Sequence, residues 1–291
     1  MGMAPVNSAG IDGPVSETGQ LIATIATFAL ALVALLYVVS VCRRDRVVWP
    51  LIITVAGTLT CLLEPLFDHL YGLWFPTEGQ WTLFTTYGMH EPVWLPGAYL
   101  IIYGAMAVGV VKQLDAAPTM RTVWKLYAAL AAVAFVGEIS YIKVFEVYNY
   151  QDQQPFKVLG YPAFMGFVNS MSALIGGIAV WRLVPLLRGR QQALLFMIPP
   201  LAFALDAIGS GFLYLALRHS SENPSDLLLH LGAITVVIGG AATVRLMAML
   251  LPADATRQKV GSGLGPAAAR PVRRSSVKGR DMTTSAKGFR S

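Results

Sequence analysis

Charged residues are scarce in this sequence of 291 residues, of which only 13% are Asp, Glu, Lys or Arg. Soluble domains contain about 25%. Hydrophobic residues make up 55% of the chain, and the mean hydropathy is +0.57. So little charge with so much apolar surface excludes an ordinary soluble domain. We therefore expect an all-α membrane protein.

Cysteine is also scarce, since the chain has only Cys42 and Cys61. Two cysteines exclude a disulfide framework, and we expect both to be packing residues. The four histidines lack HxxxH or a similar ligand spacing, so we expect no metal site. They are His69, His90, His219 and His230.

Signatures of common cofactor and enzyme classes are missing too. The sequence has no GxSxG, P-loop or GxGxxG motif. Its last apolar segment has no lysine, which disfavours a retinal Schiff base. We therefore expect no cofactor.

What the sequence does contain is long apolar runs. A helix needs about 20 apolar residues to cross the hydrocarbon core of a bilayer. Seven stretches qualify and predict a bundle of about seven transmembrane helices: 20–41, 48–70, 93–111, 122–145, 162–184, 193–217 and 227–251.

Basic residues predict the direction of these helices, because cytosolic loops of membrane proteins are enriched in Lys and Arg. One set of connections holds Arg43, Arg44, Arg46, Lys112, Arg121, Lys125, Arg182, Arg188 and Arg190. The other set holds Lys143, Lys157 and Arg218. We expect the N-terminus outside, the C-terminus in the cytosol and the protein in the plasma membrane.

Three regions follow from this topology: an extracytoplasmic segment 1–19, a seven-helix domain 20–251 and a tail 252–291. The tail carries nine Lys or Arg and two Asp and lacks apolar periodicity. We expect a disordered cytosolic tail that contacts anionic lipid headgroups and does not bind nucleic acid.

Several polar residues interrupt the apolar helices. Acids inside membrane segments are costly and by default have a functional role. At 1.5 Å per residue, Glu64, Glu138 and Asn169 lie ~6–7 Å outward of the middle of their helices, with Asp206 near the centre and His230 at the outer mouth. All five are therefore expected in the outer half of the bundle.

Helical spacing groups these residues with others. Glu64 and Asp68 share a helix face, as do Tyr99 and Tyr103, and Glu138 and Tyr141. The candidate catalytic residues are Glu64, Asp206, Asp68 and Glu138. The candidate substrate-binding residues are His69, Trp74, Trp94, Tyr99, Tyr103, Tyr141, Asn169, Tyr214 and His230.

Each candidate also has a structural interpretation. Glu64 would hydrogen-bond a neighbouring helix, and Glu138 would pair with Lys143 or Tyr141. Asp68 and His69 would be solvated at the interface, and the tyrosines would pack in the core. Trp74 and Trp94 suit either an interfacial aromatic belt or the lid of an apolar pocket.

Two segments resemble the AveC-like spirocyclase family. Residues 63–76 read Leu-Glu-Pro-Leu-Phe-Asp-His-Leu-Tyr-Gly-Leu-Trp-Phe-Pro, and residues 87–94 read Tyr-Gly-Met-His-Glu-Pro-Val-Trp, followed by Tyr99. The resemblance is clearest over about residues 61 to 104. It implies a small polytopic membrane protein with Glu64 and Asp68 at motif positions. The founding member forms a spiroketal in macrolide polyketide biosynthesis, a branch of secondary metabolism.

The chain is also similar, more distantly, to integral membrane terpene cyclases. Those enzymes have seven spans, with one acid in the second and one in the sixth, where Glu64 and Asp206 stand here. Both resemblances imply acid-catalysed ring closure of a lipophilic polyketide or terpenoid substrate. We therefore expect Glu64, Glu138, Asn169 and Asp206 to face one cavity. The alternative is a non-catalytic lipid- or sterol-binding membrane protein, or a small transporter.

Overall fold

The structure is a computed structural model that describes residues 13–150, 154–221 and 224–251. The predicted tail 252–291, and residues 1–12 of the predicted N-terminal segment, lie outside the described residues. Within the described ranges the protein is a bundle of eight helices: α1 Glu17–Asp45, α2 Trp49–Tyr71, α3 Leu95–Ala116, α4 Met120–Val144, α5 Ala163–Leu183, α6 Gly189–Gly209, α7 Phe212–Arg218 and α8 Asp226–Met249.

All of these helices except α7 are long and apolar enough to cross a membrane. The predicted helices agree with them to within a few residues, apart from the sixth. That segment was predicted as 193–217, but α6 ends at Gly209 and α7 follows as a separate short helix.

Proline shapes α2 where it carries the first predicted acid. Pro65 has no backbone N–H, so it cannot bond the carbonyl of Cys61. The helix tightens to 3₁₀ geometry over Thr60–Leu63, and the N–H of Glu64 bonds Cys61 instead. The last two turns, Glu64–Tyr71, are α-helical and end at Gly72, whose φ is +71°.

Two glycines bring α2 and α3 into backbone contact. A Cβ added to Gly57 would lie 2.5 Å from the amide nitrogen of Gly104. The helices run in opposite directions, so Glu64 and Tyr99 lie on the same side of this contact, a few residues from it. The contact therefore fixes the spacing of the segments that carry Glu64 and Tyr99.

Parts of three helices widen to π geometry: Leu100–Ala105 in α3, Ser140–Val144 in α4 and Leu205–Gly209 in α6. A π-turn contains an extra residue, and such turns are frequent at functional sites. Because the extra residue changes which side chains share a face, regular helical spacing does not hold across these segments.

Short strands join the helices at one end of the bundle, and the sequence analysis did not predict them. β1 Leu73–Trp74 pairs with β4 Asn149–Tyr150, β2 Thr82–Thr86 with β3 Met89–Pro92, and β5 Lys157–Val158 with β6 Tyr161–Pro162, all antiparallel. Tyr87 and Gly88 connect β2 to β3 with φ values of 49° and 77°, which fits a two-residue hairpin turn.

The packed interior differs between the two ends of the bundle. Near the strands it is aromatic, with Tyr71, Tyr161, Phe164 and Tyr214 nearly inaccessible to solvent. Toward the other end, two clusters are mainly aliphatic and include Val110, Leu114, Val123, Leu174, Ile178, Val38, Ile53, Val108 and Leu195. The polar cavity described below lies in the aromatic half.

Candidate functional site

A cavity of about 190 Å³ lies among α1 to α5 beneath the strand-bearing connections. Its wall is mostly apolar and aromatic, with two carboxyl groups, Glu64 and Glu138. Seven of the predicted site residues line it: Glu64, Trp94, Tyr99, Tyr103, Glu138, Tyr141 and Asn169. These residues come from α2, α3, α4 and α5, except Trp94, which lies between β3 and α3.

Glu64 is half-buried in the cavity wall and accepts a hydrogen bond from the hydroxyl of Tyr99. The ring of Tyr99 packs against Tyr103, with centroids 4.4 Å apart. The Tyr99 hydroxyl and the tightened turn before Pro65 thus both orient the Glu64 carboxyl.

Glu138 is the second carboxyl of the cavity and has three hydrogen-bond donors. Its Oε1 accepts from Asn169 Nδ2 at 3.0 Å, and its Oε2 accepts from the hydroxyls of Tyr148 at 2.6 Å and Tyr150 at 3.5 Å. An ionised carboxylate, which only accepts, suits three donors of this kind.

The predicted partners of Glu138 were different. Among the described hydrogen bonds and ion pairs, none joins Glu138 to Lys143 or Tyr141. The hydroxyl of Tyr141 instead pairs with Thr27 of α1, at another part of the same wall. The expected pairing of Glu138 with Lys143 or Tyr141 is therefore wrong, and its carboxyl instead bonds Tyr148, Tyr150 and Asn169.

Tyr148 and Tyr150 close the cavity from the side of the strands, because β4 pairs with β1. Burial, followed by the negative charge of Glu138, raises the pKa of both phenols well above the ordinary value of 10.0. Both therefore remain protonated donors at neutral pH. Neither tyrosine was among the predicted site residues, since both lie outside the predicted spans.

Asp206 does not line this cavity, contrary to the expected arrangement. Its side chain is 1% exposed and accepts a hydrogen bond from the Ser172 hydroxyl on α5. The ring of Phe203, three residues earlier on α6, packs on Tyr103 at 5.3 Å and Tyr99 at 5.9 Å. Helix α6 therefore places the ring of Phe203 against the two tyrosines, whereas the Asp206 carboxyl bonds Ser172 on α5.

Four of the predicted binding residues also lie outside the cavity wall. Trp74 belongs to β1, where it pairs with Asn149. Tyr214 is buried on α7 and donates to Gln154 at 2.7 Å. The other two, His69 and His230, lie nearer the surface.

The histidines have partners of their own. His69 stacks on His219 with ring centroids 6.5 Å apart, and it is only half-buried. His230 is exposed, and its Nδ1 lies 2.7 Å from the carbonyl oxygen of Asp226. Neither imidazole shares the cavity with Glu64.

Asp68 lies one turn beyond Glu64 and is fully buried, with an exposure of 0%. The expectation that it would be solvated at the interface is therefore wrong. It does not line the cavity. It lies within hydrogen-bonding reach of Glu64 on one side and of Glu91, from β3, on the other. Within the described part of the chain, neither oxygen of Asp68 has an N–H or O–H donor.

Glu91 is a buried carboxyl that was not among the predicted site residues. It is also 0% exposed, and neither of its oxygens has a donor among the described residues. Burial, then the negative charge of Glu64, raises its pKa from the ordinary 4.5 to about 8. The two-residue turn at Tyr87-Gly88 was the available signal, because it predicts a hairpin that folds β3 back onto the bundle.

The cavity has an opening between α1 and α4. Leu30 of α1 and Val133 of α4 both line the cavity and are both exposed on the outside of the bundle. Gly137, one turn along from Val133, also lines it, and a Cβ added there would meet no atom within 4 Å. The opening is therefore lateral, through an apolar rim.

Metal binding has no structural support in the ranges that the structure describes. Those ranges contain no group of three or more His, Cys, Asp or Glu side chains placed to hold a metal ion.

Comparison with known proteins does not add an assignment. The chain matches no family model, and neither the curated proteins nor the solved structures gave a significant match. The cavity itself is therefore the basis for the chemistry of the site.

Proposed function

We propose that this protein is integral to the cell membrane, with α1 to α6 and α8 crossing the bilayer. Large apolar side chains are exposed all along α1: Leu21, Ile22, Ile25, Phe28, Leu30, Leu32, Val33 and Leu36. Soluble proteins rarely expose so much contiguous apolar surface. The basic residues of the connections support an outside N-terminus and a cytosolic C-terminus.

We further propose that the protein is a cyclase of the spirocyclase type, as its AveC-like segments imply. The observation that carries this proposal is the pair Glu64 and Glu138, two carboxyls from different helices that face one aromatic cavity. The substrate would be a lipophilic polyketide or terpenoid that enters from the bilayer between α1 and α4.

Spiroketal closure needs an acid and a base at one place. A hydroxyl first adds to a ketone to give a hemiketal. Glu64 in its protonated form then donates a proton to the hemiketal hydroxyl, the C–O bond breaks, and water leaves. A second hydroxyl attacks the oxocarbenium carbon, and the Glu138 carboxylate takes the proton that this hydroxyl loses. The protein and substrate together lose one water molecule and no net proton.

The wall of the cavity suits the intermediate. An oxocarbenium ion is positively charged, and the faces of Tyr99, Tyr103 and Trp94 together with the Glu138 carboxylate would stabilise it. The apolar remainder of the wall limits water, which would otherwise capture the cation.

Cavity size restricts how much of a substrate is enclosed. Pockets for whole drug-sized ligands are about 300–1,000 Å³. A cavity of about 190 Å³ would hold only the reacting end. We propose that the remaining hydrocarbon passes between Leu30 and Val133 into the lipid.

The two alternatives differ in structural support. A transporter needs a path to both ends of the bundle. A pocket of about 710 Å³ lies at the end opposite the strands, beside Asp45, Lys112 and Asp115. It shares no lining residue with the cavity, and two mainly aliphatic clusters pack the interior of that half. A lipid- or sterol-binding protein would use the same cavity and lateral opening, with Glu64 and Glu138 bonding a hydroxyl headgroup. Turnover separates this possibility from the cyclase.

The test compares extractable metabolites in a deletion strain complemented with wild type, Glu64→Gln or Glu78→Gln. Glu78 is exposed, so its substitution is the matched control. We expect a cyclised product, one water lighter than its precursor, with wild type and Glu78→Gln, and precursor accumulation with Glu64→Gln. The same product pattern from all three strains would contradict the proposal.

A further inference from the structure

Glu64 is one of three neighbouring carboxyls, and the other two have no part in the chemistry above. Glu64 and Asp68 lie on successive turns of α2, and β3 packs against the same turns and brings in Glu91. Asp68 is the middle member, within reach of both others. We call these three residues the carboxyl trio.

No positively charged side chain of the described ranges pairs with the trio. None of its members forms a salt bridge with any described residue. The described titratable groups that interact with it are all neutral or negative: Cys61, Tyr99, Tyr103, Glu138, Tyr150 and Asp206. Three ionised carboxylates in one buried cluster would therefore repel each other without compensation.

A shared proton removes this conflict. Two ionised carboxylates cannot hydrogen-bond, whereas a protonated carboxyl donates to its neighbour. Asp68 and Glu91 lack any other donor in the described structure, although both are completely buried. Buried polar groups without partners are costly, so a carboxyl-to-carboxyl hydrogen bond is the arrangement that satisfies them.

We propose that Glu64, Asp68 and Glu91 titrate as one unit, and that Glu91 is a positioning residue that keeps Glu64 in its proton-donating form. Glu91 does not line the cavity, so it acts through Asp68. For catalysis, the inference rests on the proposed function. The shared titration itself does not depend on it.

The elevated pKa of Glu91, about 8, agrees with such a unit. In a coupled cluster the protons leave in steps that belong to the whole group. Removing one negative charge makes it easier for the others to ionise. Replacing Glu91 with Gln is therefore expected to move the remaining carboxyl titration to lower pH.

Infrared spectroscopy measures this without a substrate, because a protonated carboxylic acid has a C=O stretch that disappears on ionisation. The purified full chain in lipid nanodiscs would be titrated as wild type, Glu91→Gln, Glu91→Asp and Glu78→Gln. We expect wild type and Glu78→Gln to keep a protonated carboxyl band at neutral pH and to lose part of it in an alkaline step near pH 8. Glu91→Asp keeps an acid at this position and should retain an alkaline step.

Glu91→Gln should lose the alkaline step and shift the residual band to lower pH. Two results would overturn the proposal. In one, Glu91→Gln loses its own carboxyl signal while the titration of the remaining carboxyls stays at the wild-type pH. In the other, wild type shows no protonated carboxyl band at neutral pH. If Glu91→Gln does not fold, Asp68→Asn serves instead. Removing the middle carboxyl should move the alkaline step to lower pH. An alkaline step at the wild-type pH in Asp68→Asn would likewise overturn the proposal. If the titrations follow these expectations but cells form no cyclised product, the shared titration of the trio stands and the cyclase proposal is rejected.

Discussion

Tyr99 donates a hydrogen bond to Glu64 across the interface of α2 and α3, inside the wall of the cavity. The two residues are 35 positions apart in sequence. Their meeting depends on the close approach of Gly57 and Gly104, which sets the distance between the helix axes. The geometry of the site therefore depends on two residues that carry no functional group.

Substituting Gly57 with Ala is expected to destabilise the bundle. The new Cβ would lie 2.5 Å from the Gly104 nitrogen, so the helices would have to separate. Overpacking of this kind typically costs about 1–3 kcal/mol. Thermal unfolding in detergent should show a lower midpoint for Gly57→Ala.

The matched control is Gly109→Ala on α3, where an added Cβ meets no atom within 4 Å. Alanine is a better helix former than glycine, so this variant should be as stable as wild type or slightly more stable. Equal midpoints for both variants and wild type would show that the glycine contact does not set the helix spacing.

Filling the lateral opening should block access to the cavity without unfolding the protein. Gly137→Phe places a ring at the rim, in space that is empty in the structure. Substrate conversion in membranes is expected to fall at least tenfold, with little change in thermal midpoint. Gly109→Phe, which adds the same ring away from the cavity, should convert substrate normally.

If Gly137→Phe converts substrate at the wild-type rate, entry between α1 and α4 is wrong. A matching loss of conversion in Gly109→Phe would point to a general effect of the added ring. Measuring both variants in the same membrane preparation separates these results.

Stability should fall as pH rises, because of Glu91. Its pKa is about 8 in the folded protein, against an ordinary value of 4.5, so between these values the folded state holds more protons than the unfolded state. The free energy of unfolding then decreases with rising pH over this window and levels off above pH 8. Thermal midpoints measured between about pH 5 and about pH 9 test this, because the lower limit lies just above the ordinary pKa of a glutamate side chain.

Glu91→Gln should flatten this dependence and raise the midpoint at the alkaline end, since it removes a buried group that must ionise. Glu78→Gln, at an exposed carboxyl, should retain the wild-type slope. An unchanged slope in Glu91→Gln would mean that Glu91 is ionised in the folded protein throughout this range.

Hydropathy predicted the number and positions of the long helices because crossing length and apolar content are properties of the sequence alone. The depth of each residue along its helix could also be predicted from the sequence, and Glu64, Glu138 and Asn169 do line one cavity. The direction in which a side chain points around its helix was harder to predict. Asp206 lies in a π segment, where an extra residue rotates the helix face.

The connections were the least predictable part. β1 and β4 have two residues each, too few for any alternating pattern to be read. Their pairing nevertheless brings Tyr148 and Tyr150 to Glu138. Glu91 was overlooked for a similar reason, since its burial depends on how a hairpin packs against α2.

Turnover of three variants tests the central claim most directly. Glu64→Gln, Glu138→Gln and Asp206→Asn would be assayed for product formation in membranes, with thermal midpoints as the folding control. Removing a general acid or base typically costs 10²–10⁴-fold. Because Glu64 and Glu138 share the cavity and Asp206 does not, we expect losses of at least 10²-fold in the first two variants and little loss in Asp206→Asn. A double variant of Glu64 and Glu138 should be little worse than either single one. Wild-type turnover in a folded Glu64→Gln protein would contradict the account.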